Sequence, residues 1–159
     1  MSTAISIRPA VAADIAPARS LLLAASLHVE DLYREHFAGF LVATEAGAVV
    51  GLIGLETFSE FGLLRSLVVD PACRGQGLGQ KLVAELEAVA GEQGVEELWL
   101  LTIDADAFFA KLGYTVSGRD GAPSVIANTA EFTSLCPVDA VLMKKSITVG
   151  RDQAGRLPA

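Results

Sequence analysis

Arg74, Gly75, Gln76, Gly77, Leu78, Gly79 and Gln80 form the stretch of this sequence best suited to chemistry. Glycines so closely spaced let a backbone approach a ligand. An apolar run from Leu63 to Asp70, bounded by Gly62 and by Asp70-Pro71, predicts a buried strand just before them. A helix is predicted just after, because Leu78, Leu82, Leu86 and Val89 fall in steps of four, four and three on one face. Its first turn would point unpaired N–H groups and the positive end of its dipole at the glycines. Such a junction suits phosphate. It is not a P-loop, which needs Gly-x-x-x-x-Gly-Lys and then Ser or Thr. Nor is it the dinucleotide fingerprint Gly-x-Gly-x-x-Gly, because the glycines fall at 75, 77 and 79. The spacing alone also fits an ordinary strand–turn–helix whose glycines only relieve steric strain.

The rest of the chain must position this loop. Ile5 to Arg8 alternates and stops at Pro9, which predicts a first strand. Asp14 opens a helical pattern with Ile15, Ala18, Leu22 and Ala25 on one face, and Pro17 is tolerated in its first turn. Val29 to Phe37 reads as a second, more polar helix. Phe40–Thr44 and Val49–Thr57 read as strands joined by the turn Glu45-Ala46-Gly47. Beyond the main helix, Gly94 marks its end. Leu98–Thr102 is a buried strand, parallel to Leu63–Val69 because a helix connects them. A short helix from Ala105 to Leu112 stops at Gly113, and Tyr114–Gly118 begins another strand. Asn128 or Thr129 is expected to cap a short helix within Ser124–Leu135. Asp139–Lys145 is the last strand. The expected organisation is one mixed α/β domain over residues 1–147, with a polar tail over 148–159.

Composition narrows the classes. A chain of 159 residues lies within the range of one domain, and 52% apolar with 19% charged residues is globular rather than disordered. No run approaches the roughly 18–20 apolar residues that cross a bilayer. The stretch Met1–Ala10 has no basic region followed by an apolar one, so a cytoplasmic protein without a secretory signal is expected. Twelve basic against nineteen acidic side chains give a net charge of −7, which argues against nucleic acid or anionic membrane as partner. A local phosphate site built from backbone N–H groups is compatible with that charge. Cys73 and Cys136 match no metal spacing. His28 and His36, eight apart, read as surface residues, so no metal is expected.

Arg-x-x-Gly-x-Gly after a strand ending Val68-Val69-Asp70-Pro71 resembles the acetyl-CoA pyrophosphate loop of the GNAT N-acetyltransferase superfamily. Ala105, Phe108, Phe109, Gly113 and Tyr114 fill a second pattern of that superfamily, Ala-x-x-aromatic-aromatic-x-x-x-Gly-aromatic. A narrower likeness runs through Gly54-Leu55-Glu56, Leu64-Arg65-Ser66-Leu67, Leu100-Leu101-Thr102 and the stretch Thr129–Pro137. These residues resemble small acetyltransferases associated with arsenic-resistance operons, which in turn look like the acetyltransferase domain of N-acetylglutamate synthases. The resemblance covers the chain to about residue 147.

That resemblance implies an α/β (α+β) fold: a mixed sheet, antiparallel at first, whose parallel fourth and fifth strands splay apart between flanking helices. It implies acetyl-CoA as cosubstrate, a small amino-acid-like amine as acceptor, direct attack, and a possible homodimer. It also leaves open a protein or peptide acceptor, or a catalytically weak acyl-CoA-binding module. CoA would pair with the backbone of Leu67, Val68 and Val69, with an N–H of Leu67 or Val68 stabilising the oxyanion. Its phosphates would rest on Arg74 to Gln80. Thr102, Phe108 and Phe109 would face the cofactor. Phe109 stands where many members carry a tyrosine thought to protonate the departing thiolate, and a phenyl ring has no proton to give. Cys136 is another candidate donor. Glu56 is the candidate base, acting through a water, or else a solvent-facing strand residue. Arg65 would bind a substrate carboxylate bidentately, or would pair with Glu56 or another acid across the sheet. Arg119 and Thr129 would line the acceptor pocket.

Overall fold

Seven strands assemble into one mixed sheet. The structure, a computed structural model, describes residues 5–25, 39–129 and 140–147. The strands are β1 (Ile5–Pro9), β2 (Phe40–Glu45), β3 (Ala48–Phe58), β4 (Phe61–Val69), β5 (Glu97–Thr102), β6 (Thr115–Ser117) and β7 (Val141–Ser146). Their order is β1-β2-β3-β4-β5-β7-β6. The pairs β1–β2 and β2–β3 are antiparallel, and β4–β5 is parallel with Phe61, Gly62 and Leu63 opposite Glu97, Leu98 and Trp99. β7 then runs antiparallel to both β5 and β6. The antiparallel start and the parallel pair match the expectation. The helices are α1 (Ile15–Ala24), α2 (Leu78–Glu92), α3 (Asp106–Lys111) and α4 (Ser124–Ala127). Among the described residues no helix is long and apolar enough to cross a membrane. The helix expected over Val29–Phe37 and the tail over 148–159 lie outside the described residues.

Two compact units divide the chain: Met1–Glu56 with Leu64–Ala88, and Thr57–Leu63 with Val89–Ala159. In the first, Ala18 and Leu22 of α1 pack with Phe40 and Val42 of β2, Leu52 of β3 and Val68 of β4. Ala46 and Gly47 form its two-residue hairpin loop, both left-handed (φ 53° and 84°), which matches the twist of β2 and β3. Asp14 ends a 3-10 turn (Ala12–Asp14) that leads into α1. Its buried carboxylate accepts two hydrogen bonds from Arg8 and one from the Val11 N–H. Gly51 in β3 lets α2 lie close: a Cβ there would stand 3.2 Å from Leu82 and from the Val68 carbonyl.

In the second unit Leu63, Trp99, Ile126 and Leu142 form the core. α2 ends there with two hydrogen bonds, Val95 N–H to Ala90 and Gly94 N–H to Gly91, the Schellman pattern expected of a glycine stop. The buried stripe of α2 differs from expectation at its far end. It comprises Leu78, Leu82, Val83, Leu86 and Ala90, while Val89 is half-buried. Continuing in steps of four leads from Leu86 to Ala90, which lies further from the solvent side than Val89.

Candidate active site

The glycine junction is held from below. Past the end of β4, the Asp70 N–H donates to the Val50 carbonyl at 2.8 Å. The Asp70 carboxylate caps a 3-10 turn (Pro71–Cys73) by accepting the Ala72 N–H at 2.9 Å. Arg74 follows, its Nε donating to the Val69 carbonyl at 3.2 Å, so the side chain folds back onto the end of β4. Gly75 and Gly77 then take φ of 82° and 77°, a region that only glycine enters freely. A Cβ at Gly75 would meet nothing within 4 Å, and one at Gly77 only Gln80 Oε1 at 4.0 Å. The first helical bond of α2 runs from the Lys81 N–H to the Gly77 carbonyl. The N–H groups of Leu78, Gly79 and Gln80 therefore precede the intrahelical ladder. The first turn holds no acidic residue, and Leu78 buries its side chain while offering its N–H. Open space, bare backbone and a helix N-terminus fit a diphosphate. Cys73, beside this loop, is buried, and burial pushes its thiol up from the usual range.

Further up β4 the strand bends. Ser66 takes φ 61°, an unusual conformation for serine in a strand. Such strain costs on the order of 1–3 kcal/mol and persists only where neighbours hold it. Leu67 and Val69 are half-buried and Val68 is buried. Just before the bend, the Arg65 side chain is 1% exposed, and its Nη1 donates to Glu56 Oε2 at 2.7 Å. Its Nε donates to Ser66 Oγ at 3.2 Å. Glu56 itself is 22% exposed. Of the two readings for Arg65, the ion pair with Glu56 is the one the geometry contains. Glu56 is accordingly a paired carboxylate that keeps partial exposure to solvent.

In the second unit, Thr102 ends β5, and its Oγ1 accepts the Ala105 N–H at 3.0 Å, turning the chain into α3. Phe109 is buried and meets Phe108 and Tyr114 edge-on, with ring centroids 5.0 and 5.5 Å away. The Tyr114 N–H bonds the Phe109 carbonyl and the Gly113 N–H that of Ala110, a second Schellman stop whose usual apolar contact is the Phe109–Tyr114 pair. Tyr114 thus packs. Lys145 of β7 donates to the Leu112 carbonyl at 2.8 Å and covers the Tyr114 ring. Arg119 lies in a 3-10 turn, Arg119–Gly121. Thr129 is buried and its hydroxyl donates to the Ile126 carbonyl at 2.8 Å.

Asn128 closes α4, and Pro123 stands at the front of α4. Proline fixes the entry geometry there without needing a side-chain acceptor. Whether a helix follows Thr129, and where Cys136 sits, fall outside the described residues. The bend at Ser66 had no signal in the sequence, because a serine in an apolar run reads as an ordinary strand residue. Among the described residues no three His, Cys, Asp or Glu side chains gather as a metal site would require.

The model of the acetyltransferase (GNAT) family matches residues 13–114. The chain belongs to that family. An uncharacterized N-acetyltransferase of Chlorobaculum tepidum is 34% identical over 93 residues, 58% of this chain and 59% of that protein. An amino-acid acetyltransferase of Mycobacterium tuberculosis is 37% identical over 70 residues, 43% of this chain and 40% of that protein. The chain thus matches less than two thirds of the length of these relatives. Among solved structures, N-acetylglutamate synthase from Neisseria gonorrhoeae complexed with coenzyme A and N-acetyl-glutamate shares the fold. Its TM-score is 0.80 at 23% identity, over 92% of this chain and 36% of that one. The Mycobacterium tuberculosis protein Rv2747 in complex with CoA aligns at a TM-score of 0.76 and 25% identity, over 89% of this chain and 98% of that one.

Proposed function

We propose that this chain transfers an acetyl group from acetyl-CoA to the amine of a small, amino-acid-like acceptor by direct attack. The observation that carries the reading is the Arg74–Gln80 junction, where two left-handed glycines with open space above them meet the bare N-terminus of α2. Membership of the acetyltransferase family supports acetyl-CoA as the ligand of that junction. Relatives named amino-acid acetyltransferase support the acceptor class.

Acetyl-CoA supplies an acyl group already activated as a thioester. What remains falls to this chain. The N–H groups of Leu78, Gly79 and Gln80 hold the diphosphate, with the Arg74 guanidinium beside them. The backbone of Leu67 to Val69 holds the cofactor's arm, and an N–H of Leu67 or Val68 takes the developing oxyanion. Glu56, held by Arg65 and open to water on one side, removes the amine's proton through a water. No side chain at position 109 returns a proton to the thiolate. A thiolate of pKa about 8.5, by analogy with free cysteine, is a tolerable leaving group without one.

Release of CoA thiol, followed with a panel of free amino acids, polyamines and short peptides, tests this. Turnover on free amino acids is the expected result. Turnover on peptides alone would move the acceptor to protein, and CoA binding with no turnover at all would reduce the chain to a binding module.

A further inference from the structure

We infer that Arg65 is a positioning residue: its buried guanidinium locks the carboxylate of Glu56 to the backbone bend at Ser66. The inference rests on the reading of Glu56 as the base. It goes beyond that reading by naming what sets the base against the backbone that polarises the thioester.

Burying a cation in an apolar strand is costly unless the charge is paired and its donors satisfied. Arg65 stands between two strongly apolar runs of β4, with a side chain 1% exposed. Among the described residues its guanidinium touches two groups at once. Nη1 donates to Glu56 Oε2 at 2.7 Å in one direction, and Nε donates to Ser66 Oγ at 3.2 Å in the other. A guanidinium is planar and its donors have fixed spacing. One rigid group therefore sets the distance from the Glu56 carboxylate to Ser66.

Ser66 is the residue for which that matters. Its φ of 61° is unfavourable for any side chain but glycine, so the bend needs an external hold. The two residues after it, Leu67 and Val68, carry the N–H groups assigned to the oxyanion. Arg65 thus couples the group that removes the proton to the group that receives the negative charge. With Oε2 held by Arg65, Oε1 is the oxygen that accepts the proton. Lysine keeps the charge but is a single point donor and cannot span both partners.

The test is a double-mutant cycle in the full chain, using Arg65→Lys, Glu56→Gln and the double variant. CoA affinity and far-UV circular dichroism confirm folding. The probe reaction is thiol release with the free amino acid of the panel that turns over fastest. Glu56→Gln is expected to lower kcat by about a hundredfold, the low end of general-base effects. Arg65→Lys is expected to lower it by about tenfold, with the KM for acetyl-CoA little changed. Residues acting as one unit are not additive, so in the Glu56→Gln background the lysine substitution should change kcat by less than about twofold. A tenfold loss that persists in that background overturns the inference and leaves the base reading standing. No loss of kcat in Glu56→Gln alone overturns the base reading and the inference with it. If Arg65→Lys does not fold, Arg65→Gln takes its place in the same cycle.

Discussion

Gly77 shows at the scale of one residue how little the cofactor reading asks of side chains. Its φ of 77° and the empty volume where a Cβ would go are properties of backbone alone. Gly77→Glu would strain that conformation and set a carboxylate beside bound phosphate. Affinity for CoA, measured by calorimetry on a variant with unchanged circular dichroism, is expected to fall by more than about a hundredfold, or roughly 3 kcal/mol. Unchanged affinity would remove the loop from the site. Gly75 and Gly77 were legible in the sequence because only glycine is at ease where φ is positive. Ser66 was not, since a serine within an apolar run leaves no mark of a left-handed turn in residue type. Arg65 was legible as an oddity. The structure then pairs it with Glu56 at 2.7 Å.

At the scale of elements, the helix stops explain a pattern that the sequence displays without explaining. The run from Ala105 to Tyr114 reads as a motif, yet its glycine and last aromatic are the two parts of one Schellman stop. Gly113 supplies the left-handed residue, and Tyr114 lands its ring on Phe109. Gly113→Ala would force an alanine to φ 99° and bring its Cβ to 3.3 Å from Lys145 Cε. The expected cost is about 1–2 kcal/mol. Thermal unfolding measures it, and a melting temperature equal to the parent's would show that α3 does not depend on this stop. Strand existence was readable from apolar runs, and the parallel β4–β5 pair from the helix between them. The place of β7 between β5 and β6 was not, because pairing across some forty residues depends on which edges remain after the rest has assembled.

For the whole molecule, stability against acid is the property these contacts set. Nineteen acidic side chains outnumber twelve basic ones, so lowering the pH relieves self-repulsion while it removes carboxylates that bond in the folded state. Asp14 separates the two effects. Hydrogen bonds from Arg8 hold its carboxyl below the usual range, the Val11 N–H and the Arg8 charge help, and burial opposes them. A group whose pKa is depressed on folding stabilises above its unfolded value, near 4, and that contribution is lost as pH falls through the folded value. Asp14→Asn keeps the shape and removes the charge. The variant is expected to be about 1–2 kcal/mol less stable than the parent at pH 7, as for other hydrogen bonds to a charged group. The gap should shrink below about pH 4, because the unfolded parent then takes up a proton at Asp14 that the folded parent binds only at lower pH. Urea unfolding of both proteins at pH 7 and pH 3 reads the gap directly, and self-repulsion cancels in the comparison because it acts on both alike. A gap that stays constant from pH 7 to pH 3 would mean that Asp14 contributes by shape and not by charge, and that acid sensitivity of the first unit must come from another carboxylate.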